Sequence, residues 1–418
     1  MHVGIIGAGF TGLSAAYELL KNGHKVTIFE KDSKPGGLAI GYREKTWEWS
    51  LEKHYHHWFT NDSHILNLAK EINHSVLIKT PETNWYVDGK IYKFVSLKAA
   101  LTLSLLTPFE RIRQLFVLGF LRLYPFWKIL EKYKANDILP RLMGRRTYEI
   151  LWYSILKNKF GKYAEEISLA WFWARIKKRT QSLAYPDGGF LKFAEHLAEV
   201  IEEKGGRIIY GVTVEKIEEK NGTLSIGSYG EFDKVIITLP SFQFVKLVPQ
   251  LPEEYKIDLT RLKGLGAINL VLRLKKPFFP DNTYWLSIAD TKSPIMAIIE
   301  HTHFMDKKHY NNEHIVYLGN YLPVDDPNFT KTKDQLLSRY DHFLKNINPH
   351  YKRNVISYEV FKAPFAQPII PTSYSNIMPS IKTPIEGLYL ANMQQVYPWD
   401  RGTNYAVELG KRVVELLL

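Results

Sequence analysis

The chain has 418 residues, 45% of them hydrophobic, and a formal net charge of +12 at pH 7. That length allows a large buried core divided over two or three structural units. Cysteine is absent, which excludes a disulfide framework, a catalytic thiolate, an iron–sulfur cluster and a flavin attached through sulfur. Because the chain opens directly into a strand and no apolar stretch reaches about 18 residues, we expect a cytoplasmic protein without a membrane span.

The first residues predict a strand, a glycine-rich turn and a helix. An apolar run over residues 2–6 is followed by Gly7-Ala8-Gly9-Phe10-Thr11-Gly12 and then by apolar residues at helical spacing. Gly7 allows the tight turn, Gly9 lets the backbone approach a pyrophosphate, and Gly12 lets the helix pack on the strand. The phosphates meet the positive end of the helix, where Phe10 and Thr11 are further candidate binding residues. We therefore predict a dinucleotide site; in the alternative interpretation the glycines only mark turns.

A second strand, over residues 25–30, ends in an acid. Glu30 lies roughly twenty residues beyond the turn, where a carboxylate accepts hydrogen bonds from a ribose diol. Lys31 follows it, and Gly36, Gly37 and Leu38 then offer a second stretch of bare backbone for a cofactor. Residues 4–39 resemble the two-part FAD fingerprint of the flavoprotein family that holds monoamine and polyamine oxidases, protoporphyrinogen oxidase, phytoene desaturases and, more distantly, UDP-galactopyranose mutase. The resemblance implies FAD as cofactor.

The same resemblance implies an α/β fold. It consists of a Rossmann-like FAD-binding domain of the glutathione reductase type and a discontinuous α+β substrate domain that carries a helical insertion. The order of elements assigns residues 1–60, 186–245 and 381–418 to the FAD-binding domain. Residues 61–185, which include the helical insertion, and residues 246–380 are assigned to the substrate domain.

Three histidines occur within four positions, His54, His56 and His57. A metal site is one interpretation, but alternate residues of a strand face opposite ways and no obvious carboxylate completes the set, so we predict none. Packed aromatic residues with partly exposed imidazoles are the second interpretation. In the third, residues 56–62 resemble the segment by which galactopyranose mutases bring a histidine next to the flavin, although Phe59 replaces the second histidine of that segment. His56 is therefore a candidate catalytic residue.

Between residues 97 and 180 the pattern changes to helices with many aromatic and basic residues. Residues 115–127 are apolar nearly all round a helix, which predicts a buried core helix or, as the alternative, a helix resting in a lipid interface. Peripheral membrane contact through residues 97–180 is therefore a candidate. Residues 171–179 are also rich in basic residues. In one interpretation these cations are solvated; in the other, one of four basic side chains binds an anionic group of the substrate. The four are Arg175, Lys177, Lys178 and Arg179. No nucleic-acid module is recognisable, so we expect a small-molecule substrate and no nucleic-acid partner.

The middle of the chain predicts a return to the cofactor domain and then to the substrate domain. Residues 212–218 predict a strand in which, by resemblance, the backbone of Val214 faces the adenine, and Asn221 begins a predicted hairpin turn. In amine oxidases of the family, a lysine nine residues before an aromatic pair assists the reaction with oxygen. The corresponding residue here is Asn269, and a neutral amide cannot supply that positive charge. At residues 301–303 two more histidines suggest a metal, but we predict solvated loop histidines.

The C-terminal part returns to the cofactor. The family's last sheet strand ends in glycine and an acid that contacts the cofactor. This chain has Ala391 and Asn392 there, so the amide of Asn392 would make that contact in place of a carboxylate. Gly402, Thr403 and Asn404 open a final helix whose positive end would lie beside the flavin and raise its reduction potential; the alternative is an ordinary terminal helix. Candidate wall residues of the active site precede this helix: Tyr397, Trp399 and Arg401.

The fold hosts several reactions, so more than one function is compatible with the sequence. The leading hypothesis is an FAD-dependent oxidoreductase that removes a hydride from a bulky, partly apolar or lipid-linked substrate, which an anionic group would suit. The alternative is a flavin-dependent mutase or isomerase of a nucleotide sugar, favoured by the His56 segment. A third hypothesis is a flavoprotein that binds at a membrane surface without catalysis.

Overall fold

The computed structural model describes residues 1–93, 97–220 and 222–418; the predicted turn at Asn221 lies outside them. The strands are β1 His2–Ile6, β2 Lys25–Phe29, β3 Gly41–Tyr42, β4 Leu51–Glu52, β5 Trp58–Phe59, β6 Val76–Lys79, β7 Glu82–Val87, β8 Lys90–Lys93, β9 Leu183–Pro186, β10 Arg207–Ile209, β11 Ile217–Lys220, β12 Thr223–Ile226, β13 Glu231–Phe232, β14 Lys234–Ile237, β15 Gly264–Leu274, β16 Thr283–Ile288, β17 Ala297–Glu300, β18 His314–Leu322, β19 Val355–Pro368 and β20 Leu388–Leu390. The helices are α1 Phe10–Lys21, α2 Ser63–Glu71, α3 Leu97–Leu101, α4 Pro108–Leu123, α5 Trp127–Leu130, α6 Ala135–Met143, α7 Arg145–Thr147, α8 Ser154–Phe160, α9 Leu169–Lys178, α10 Phe190–Glu203, α11 Ser241–Leu247, α12 Glu253–Arg261, α13 Lys333–Ile347 and α14 Thr403–Leu417.

A parallel sheet forms the first half of the molecule. Its strand order is β10-β2-β1-β14-β20, and every neighbouring pair is parallel. In the central strand, Ile5 pairs with Ile28 on one side and with Ile236 on the other. The strands come from three separate stretches of the chain. Because all five are parallel, their carboxyl ends meet at one edge of the sheet, where ligands of such folds bind.

Two helices lie against each other beside this sheet. The hydroxyl of Ser14 in α1 donates to the carbonyl of Val407 in α14 over 3.1 Å. A Cβ atom added to Gly410 would lie only 2.6 Å from the carbonyl oxygen of Thr11. The two backbones can approach this closely because position 410 has no side chain.

A seven-stranded sheet of order β19-β15-β18-β17-β16-β7-β8 forms the second half. Alternate residues of β15 face opposite ways, as a strand requires. Leu270 and Leu272 belong to a core shared with Leu336 of α13, whereas Val271 belongs to the core that also contains Ile5 of the parallel sheet. The two sheets therefore share a hydrophobic core.

The helical region contains α3 to α9, and Trp171 and Trp173 are buried in its core. The prediction that residues 115–127 form a buried helix is wrong. Only one face of α4 is buried, including Val117 and Leu121, and the opposite face is apolar and exposed. Among the described residues, none of the helices is long and apolar enough to cross a membrane.

The predicted α/β class, with a Rossmann-like domain and a substrate domain, is confirmed, while the domain boundaries stay predictions. The strand predicted over residues 212–218 is wrong, since only Ile217–Lys220 pairs. The prediction of solvated histidines at residues 301–303 is also wrong, because His301 is fully buried and its Nε2 lies 2.8 Å from the hydroxyl of Tyr310.

Candidate functional site

The glycine turn lies at the carboxyl end of β1 and has the conformation the fingerprint requires. Gly7 has φ +103°, which favours glycine. A Cβ atom on Gly12 would lie 2.0 Å from the Gly7 carbonyl oxygen, so only glycine allows this contact between helix and turn. A Cβ atom on Gly9 would meet only Gly37, at 3.7 Å, which leaves open space for a ligand.

Helix α1 begins in this open space. In the described part of the chain, no side chain caps its first turn. Free N–H groups of Phe10 and Thr11 can therefore bind phosphate oxygens. The Phe10 side chain is not free for this role, because it is buried and stacks on Phe193; its contribution has to come from the backbone.

Glu30 follows β2 at the same edge, and its carboxylate is held in place. One oxygen accepts from the N–H of Ala8 over 2.7 Å and the other from the N–H of Asp32 over 2.9 Å. A carboxylate oxygen can accept more than one hydrogen bond, so a ribose diol can still bind. The N–H of Val212 donates to the Glu30 carbonyl over 2.9 Å, which places the segment leading to Val214 beside this acid.

The second glycine pair lies directly over the first turn. The N–H of Gly36 donates to the Ala8 carbonyl over 2.9 Å, and a Cβ atom on Gly37 would lie 3.1 Å from the Gly9 Cα. Leu38 packs against the small core formed by residues 267, 363 and 366, whereas the Lys31 side chain is exposed. The residues of the turn, Glu30 and the glycine pair therefore fit a dinucleotide.

The C-terminal candidates contact protein groups with their side chains. Asn392 is buried, accepts from the N–H of Gln394 and donates to the carbonyl of Leu239, so its amide is occupied by protein groups. Thr403 accepts from the indole N–H of Trp58, and Asn404 accepts from the N–H groups of residues 64 and 65. Any cofactor contact at the start of α14 therefore falls to the backbone, and a Cβ atom on Gly402 would meet nothing within 4 Å.

The histidine-rich segment lies between the two sheets. Asn269 donates from its amide to Nδ1 of His54 over 2.7 Å. Nδ1 of His56 donates to the His54 carbonyl over 2.5 Å, which leaves Nε2 of His56 free to accept a proton or hydrogen bond. Burial, opposed by this hydrogen bond and assisted by the charge of Arg401, lowers the pKa of His56 to about 4. His56 is therefore neutral at pH 7.

The neighbouring rings are neutral as well. Burial first, and then the charge of Arg179, lowers the pKa of His57 to about 3. Tyr55 forms hydrogen bonds with His57 and Tyr284 through its hydroxyl group. The segment presents uncharged imidazoles and a phenol, and it is bounded by the positive charges of Arg179 and Arg401.

Glu52 is fully buried just before this segment. It accepts from the hydroxyl of Tyr185 over 2.8 Å and from the N–H of Phe190 over 3.0 Å. Burial outweighs these hydrogen bonds and raises the pKa of Glu52 from 4.5 to about 7. The carboxyl group is therefore largely protonated in mildly acidic solution and loses its proton near neutral pH.

This shift predicts a pH-dependent effect of Glu52→Gln. Between pH 4.5 and 7 the folded protein binds more protons at this position than the unfolded chain does, so its contribution to stability decreases as pH rises. Glutamine does not titrate. The melting temperature of the variant should rise relative to wild type between pH 5 and 8, by the equivalent of about 3 kcal/mol.

Melting curves at several pH values check this prediction. The surface substitution Glu166→Gln is the control and should run parallel to wild type. A constant difference between Glu52→Gln and wild type over this range would show that the carboxyl group does not titrate as described.

The carboxylate of Asp400 lies among three positively charged side chains, those of Lys159, Arg175 and Arg401. Its carboxylate lies 3.3 Å from Nζ of Lys159 and 3.4 Å from a guanidinium nitrogen of Arg175, and it accepts from the indole N–H of Trp171. Burial alone would raise the pKa of Asp400, but Lys159, Arg401 and Arg175 together lower it below its usual range. The single carboxylate leaves an excess of positive charge.

Part of that charge faces the histidines. Arg401 contacts the hydroxyl of Tyr321, but its buried Nε has no hydrogen-bond partner among the described residues. Burial and then Arg175 lower the pKa of Arg179, while the neighbouring Tyr55 and Asp400 raise it. Arg401 and Arg179 are therefore suited to bind an anionic or strongly polar ligand group.

The structure brings His56 and Arg401 together, whereas the other two wall candidates, Tyr397 and Trp399, contact residues of the helical region. Tyr397 donates from its hydroxyl to Glu131 over 2.9 Å and packs on Trp127 in the helical core. Trp399 stacks on Trp173 at 5.4 Å between ring centres. Tyr397 and Trp399 therefore anchor the loop that carries Asp400 and Arg401.

Sequence reasoning missed Lys159 and Glu52 and did not select Asp400. Lys159 is one of several lysines on a basic helix, and only its side-chain exposure of 8% distinguishes it. Its partner is 241 residues away, so no local pattern could reveal the pair. Glu52 stands in a short strand after Leu51 and had no visible partner in sequence.

Known structures share the fold over the whole chain. An oxidoreductase from Methanosarcina mazei superimposes with a TM-score of 0.79 at 20% identity and covers 99% of this chain and 100% of its own. A putrescine oxidase bound to putrescine gives 0.76 at 13% identity, with coverage of 100% and 99%. Reduced UDP-galactopyranose mutase gives 0.77 at 14% identity, with coverage of 99% and 94%. At these identities the likeness concerns the fold alone.

Relatives in sequence cover less. L-amino acid oxidase Cdc18 of Crotalus durissus cumanensis is 52% identical over 46 residues, 11% of this chain and 9% of that protein. Protein FLOWERING LOCUS D of Arabidopsis thaliana is 24% identical over 354 residues, 77% of this chain and 40% of that protein. The chain thus spans less than half the length of either relative.

One family profile, described as "Flavin containing amine oxidoreductase", matches residues 10–418. The match includes residues 10–12 of the glycine turn, Glu30, the second glycine pair and α14, which belong to the parts that fit a dinucleotide. The chain therefore belongs to the flavin-containing amine oxidoreductase family.

Proposed function

We propose that the enzyme removes a hydride from a bulky, partly apolar substrate that carries an anionic group. FAD, when bound, supplies the hydride acceptor. The observation that carries this proposal is the juxtaposition of neutral imidazoles with the positive charges of Arg179 and Arg401. Aromatic walls suit an apolar body, and the guanidinium groups suit a carboxylate or phosphate.

In this proposal the protein mainly positions the substrate and holds a proton acceptor. His56 is neutral and its Nε2 can accept a proton, because Nδ1 is bonded to the His54 carbonyl. Asn269 orients His54 and adds no charge. The absence of a lysine there favours an enzyme that reacts slowly with oxygen over a fast oxidase.

Anaerobic titration of the FAD-loaded enzyme tests the reaction class. A panel of amines, amino acids and isoprenoid or acyl phosphates is added, and the visible flavin band is followed. Bleaching by a panel member, without added reductant, supports hydride removal. Arg179→Gln should raise KM for an anionic substrate much more than for its neutral analogue; equal effects on both would contradict the anion-binding role.

A flavin-dependent mutase or isomerase of a nucleotide sugar is the second candidate. The His56 segment favours it, because this imidazole faces the region between the sheets and packs on Phe190. A mutase would leave the flavin band unchanged in the anaerobic titration. It would show turnover of a UDP-sugar only after the enzyme is reduced with dithionite, and this outcome would replace the oxidoreductase proposal.

We also propose that the exposed face of α4 and α5 rests on an anionic membrane surface. Phe116 is 74% exposed and Leu123 is 81% exposed. This face, called here the α4 face, contains seven large apolar side chains: Phe109, Ile112, Phe116, Phe120, Leu123, Phe126 and Ile129. A contiguous apolar face of this size on a protein surface is typical of an interaction site.

The surrounding charge favours anionic lipid as the occupant. Residues 97–146 contain ten basic and three acidic residues, and so carry +7 of the chain's +12. Glu110, on α4 itself, is bonded to Arg146 over 2.6 Å. A second copy of the chain would bring two positive surfaces together, whereas a bilayer with acidic headgroups complements both the apolar face and its basic surroundings.

Flotation with vesicles tests this contact. The enzyme should float with vesicles that contain phosphatidylglycerol, less with pure phosphatidylcholine, and less as salt rises. Phe116→Ser combined with Phe120→Ser should reduce binding by roughly tenfold or more. Val324→Ser, at a separate exposed position, is the control. Failure of the wild type to float with either vesicle, or equal binding by the double variant, would overturn the proposal.

A further inference from the structure

We propose that Glu300, His303 and His314 bind one divalent transition metal ion, of which Zn²⁺ is the best match. Glu300 ends β17, His303 lies in the turn that follows, and His314 begins β18. One ligand atom from each residue lies within 4.8 Å of the other two. This cluster is separate from the residues assigned above to the cofactor and the substrate.

The distances fit a tetrahedral ion. Oε1 of Glu300 lies 3.5 Å from Nε2 of His303 and 3.2 Å from Nδ1 of His314. With metal–ligand bonds of about 2.0–2.1 Å, the ligand atoms of a tetrahedral zinc site are about 3.3 Å apart. Both carboxylate–imidazole distances therefore already match such a site, the two imidazole nitrogens lie within 4.8 Å of each other, and a water can supply the fourth ligand.

The hydrogen bonds around the cluster leave these three atoms facing one another. Nδ1 of His303 donates to the carbonyl of Thr283 over 2.8 Å, so its Nε2 carries a lone pair when the ring is neutral. Nδ1 of His314 is buried and has no hydrogen-bond partner among the described residues, despite its distance of 3.2 Å from the carboxylate. When the neutral His314 ring carries its proton on Nε2, two imidazole lone pairs face one carboxylate, an arrangement that a cation between them stabilises.

Backbone hydrogen bonds fix the position of the Glu300 carboxylate. Glu300 is fully buried, and its Oε2 accepts from the N–H groups of Phe278 and Phe279 over 3.1 and 2.9 Å. These bonds and the Thr283 carbonyl orient the ligands as outer-shell groups do in metalloproteins. Two imidazoles and one carboxylate suit Zn²⁺ better than Ca²⁺ or Mg²⁺, which prefer oxygen ligands alone.

A bound ion would fix the turn between His303 and His314. Between His303 and His314 the chain carries His309, which stacks on Trp49 at 3.8 Å and lies 2.7 Å from Glu48. Trp49 is three residues from Glu52. The ion thus stabilises the turn that holds His309 against Trp49 and Glu48, and its role is structural.

The experiment uses FAD-loaded, tag-free protein dialysed against a chelator and then titrated with ZnCl₂ by calorimetry and by thermal melting. Wild type should bind one ion per chain and melt several degrees higher with zinc. His303→Gln combined with His314→Gln should weaken binding at least about 100-fold and remove the thermal shift, while FAD stays bound. His309→Gln, which changes another histidine beside a carboxylate, should bind zinc as tightly as wild type and show the same thermal shift on adding zinc.

Wild type that takes up no more zinc than the double variant would overturn the proposal. So would a thermal shift that survives in the double variant. Where that variant does not fold, anomalous diffraction at the zinc edge from soaked wild-type crystals decides: a peak between the three side chains supports the site, and a peak elsewhere or none overturns it.

Discussion

Gly9→Val is expected to lower the affinity for FAD by about 100-fold, or about 2.7 kcal/mol, while the fold is retained. A Cβ atom at this position meets only the Gly37 Cα, at 3.7 Å, which is an ordinary contact. Gly9 has φ −73° and ψ 173°, a conformation that valine adopts readily. The added methyl groups would occupy the space in which the pyrophosphate approaches the backbone.

Two glycine variants frame this result. Gly12→Ala would place a Cβ atom 2.0 Å from a backbone oxygen, so it should lose both FAD and stability. Gly119→Ala meets nothing within 4 Å and should leave FAD binding unchanged, while stability stays the same or rises slightly because alanine favours the interior of α4. Fluorescence titration of the deflavinated proteins with FAD measures the affinities. Normal FAD binding by Gly9→Val would contradict the assignment of the glycine turn to the pyrophosphate.

Asp400→Asn is expected to lower the free energy of unfolding by about 3 kcal/mol at pH 7. The substitution removes the charge that compensates Lys159, whose side chain is 8% exposed, and Arg175. A buried charge without its partner costs more than the intact pair contributes. Urea denaturation of the FAD-loaded protein measures the difference.

The pH dependence and a double variant test the cause. Since the folded state lowers the pKa of Asp400, its stabilising effect is present above the unfolded value of about 4 and is lost as pH falls below it. The difference between variant and wild type should therefore narrow in acid. Lys159→Met should restore part of the stability of Asp400→Asn. An Asp400→Asn protein as stable as wild type at pH 7 would show that Lys159 finds compensation elsewhere.

Local patterns predicted correctly the strand, turn and helix that precede the second strand. Gly7, Gly12 and Glu30 lie where the spacing of strand, turn and helix placed them, because each depends on neighbours close in sequence. Local signals also set the start of α4, since Thr107 caps the helix in a reciprocal pair with Glu110 and Pro108 begins it. Such signals need no knowledge of the rest of the fold.

Contacts between distant segments explain the predictions that failed. An apolar helix pattern states that a face avoids water but not what covers it, so the exposed side of α4 was indistinguishable from core. The contact of Asn392 with the cofactor stays a prediction, but its amide also donates to the carbonyl of Leu239, more than 150 residues earlier, which no local pattern could reveal. His301 looked like a loop residue because the tyrosines that enclose it, Tyr185 and Tyr317, come from other strands.

The arrangement of the parallel sheet has a consequence for biosynthesis. β1 carries the phosphate-binding turn but lies between β2 and β14, and β20 and α14 complete that edge of the sheet only from residue 388 onward. A nascent chain therefore exposes the turn and β2 long before β14, β20 and α14 have left the ribosome. Capture of the coenzyme should be a late event that waits for α14, and fragments truncated before α14 should be poor acceptors of FAD.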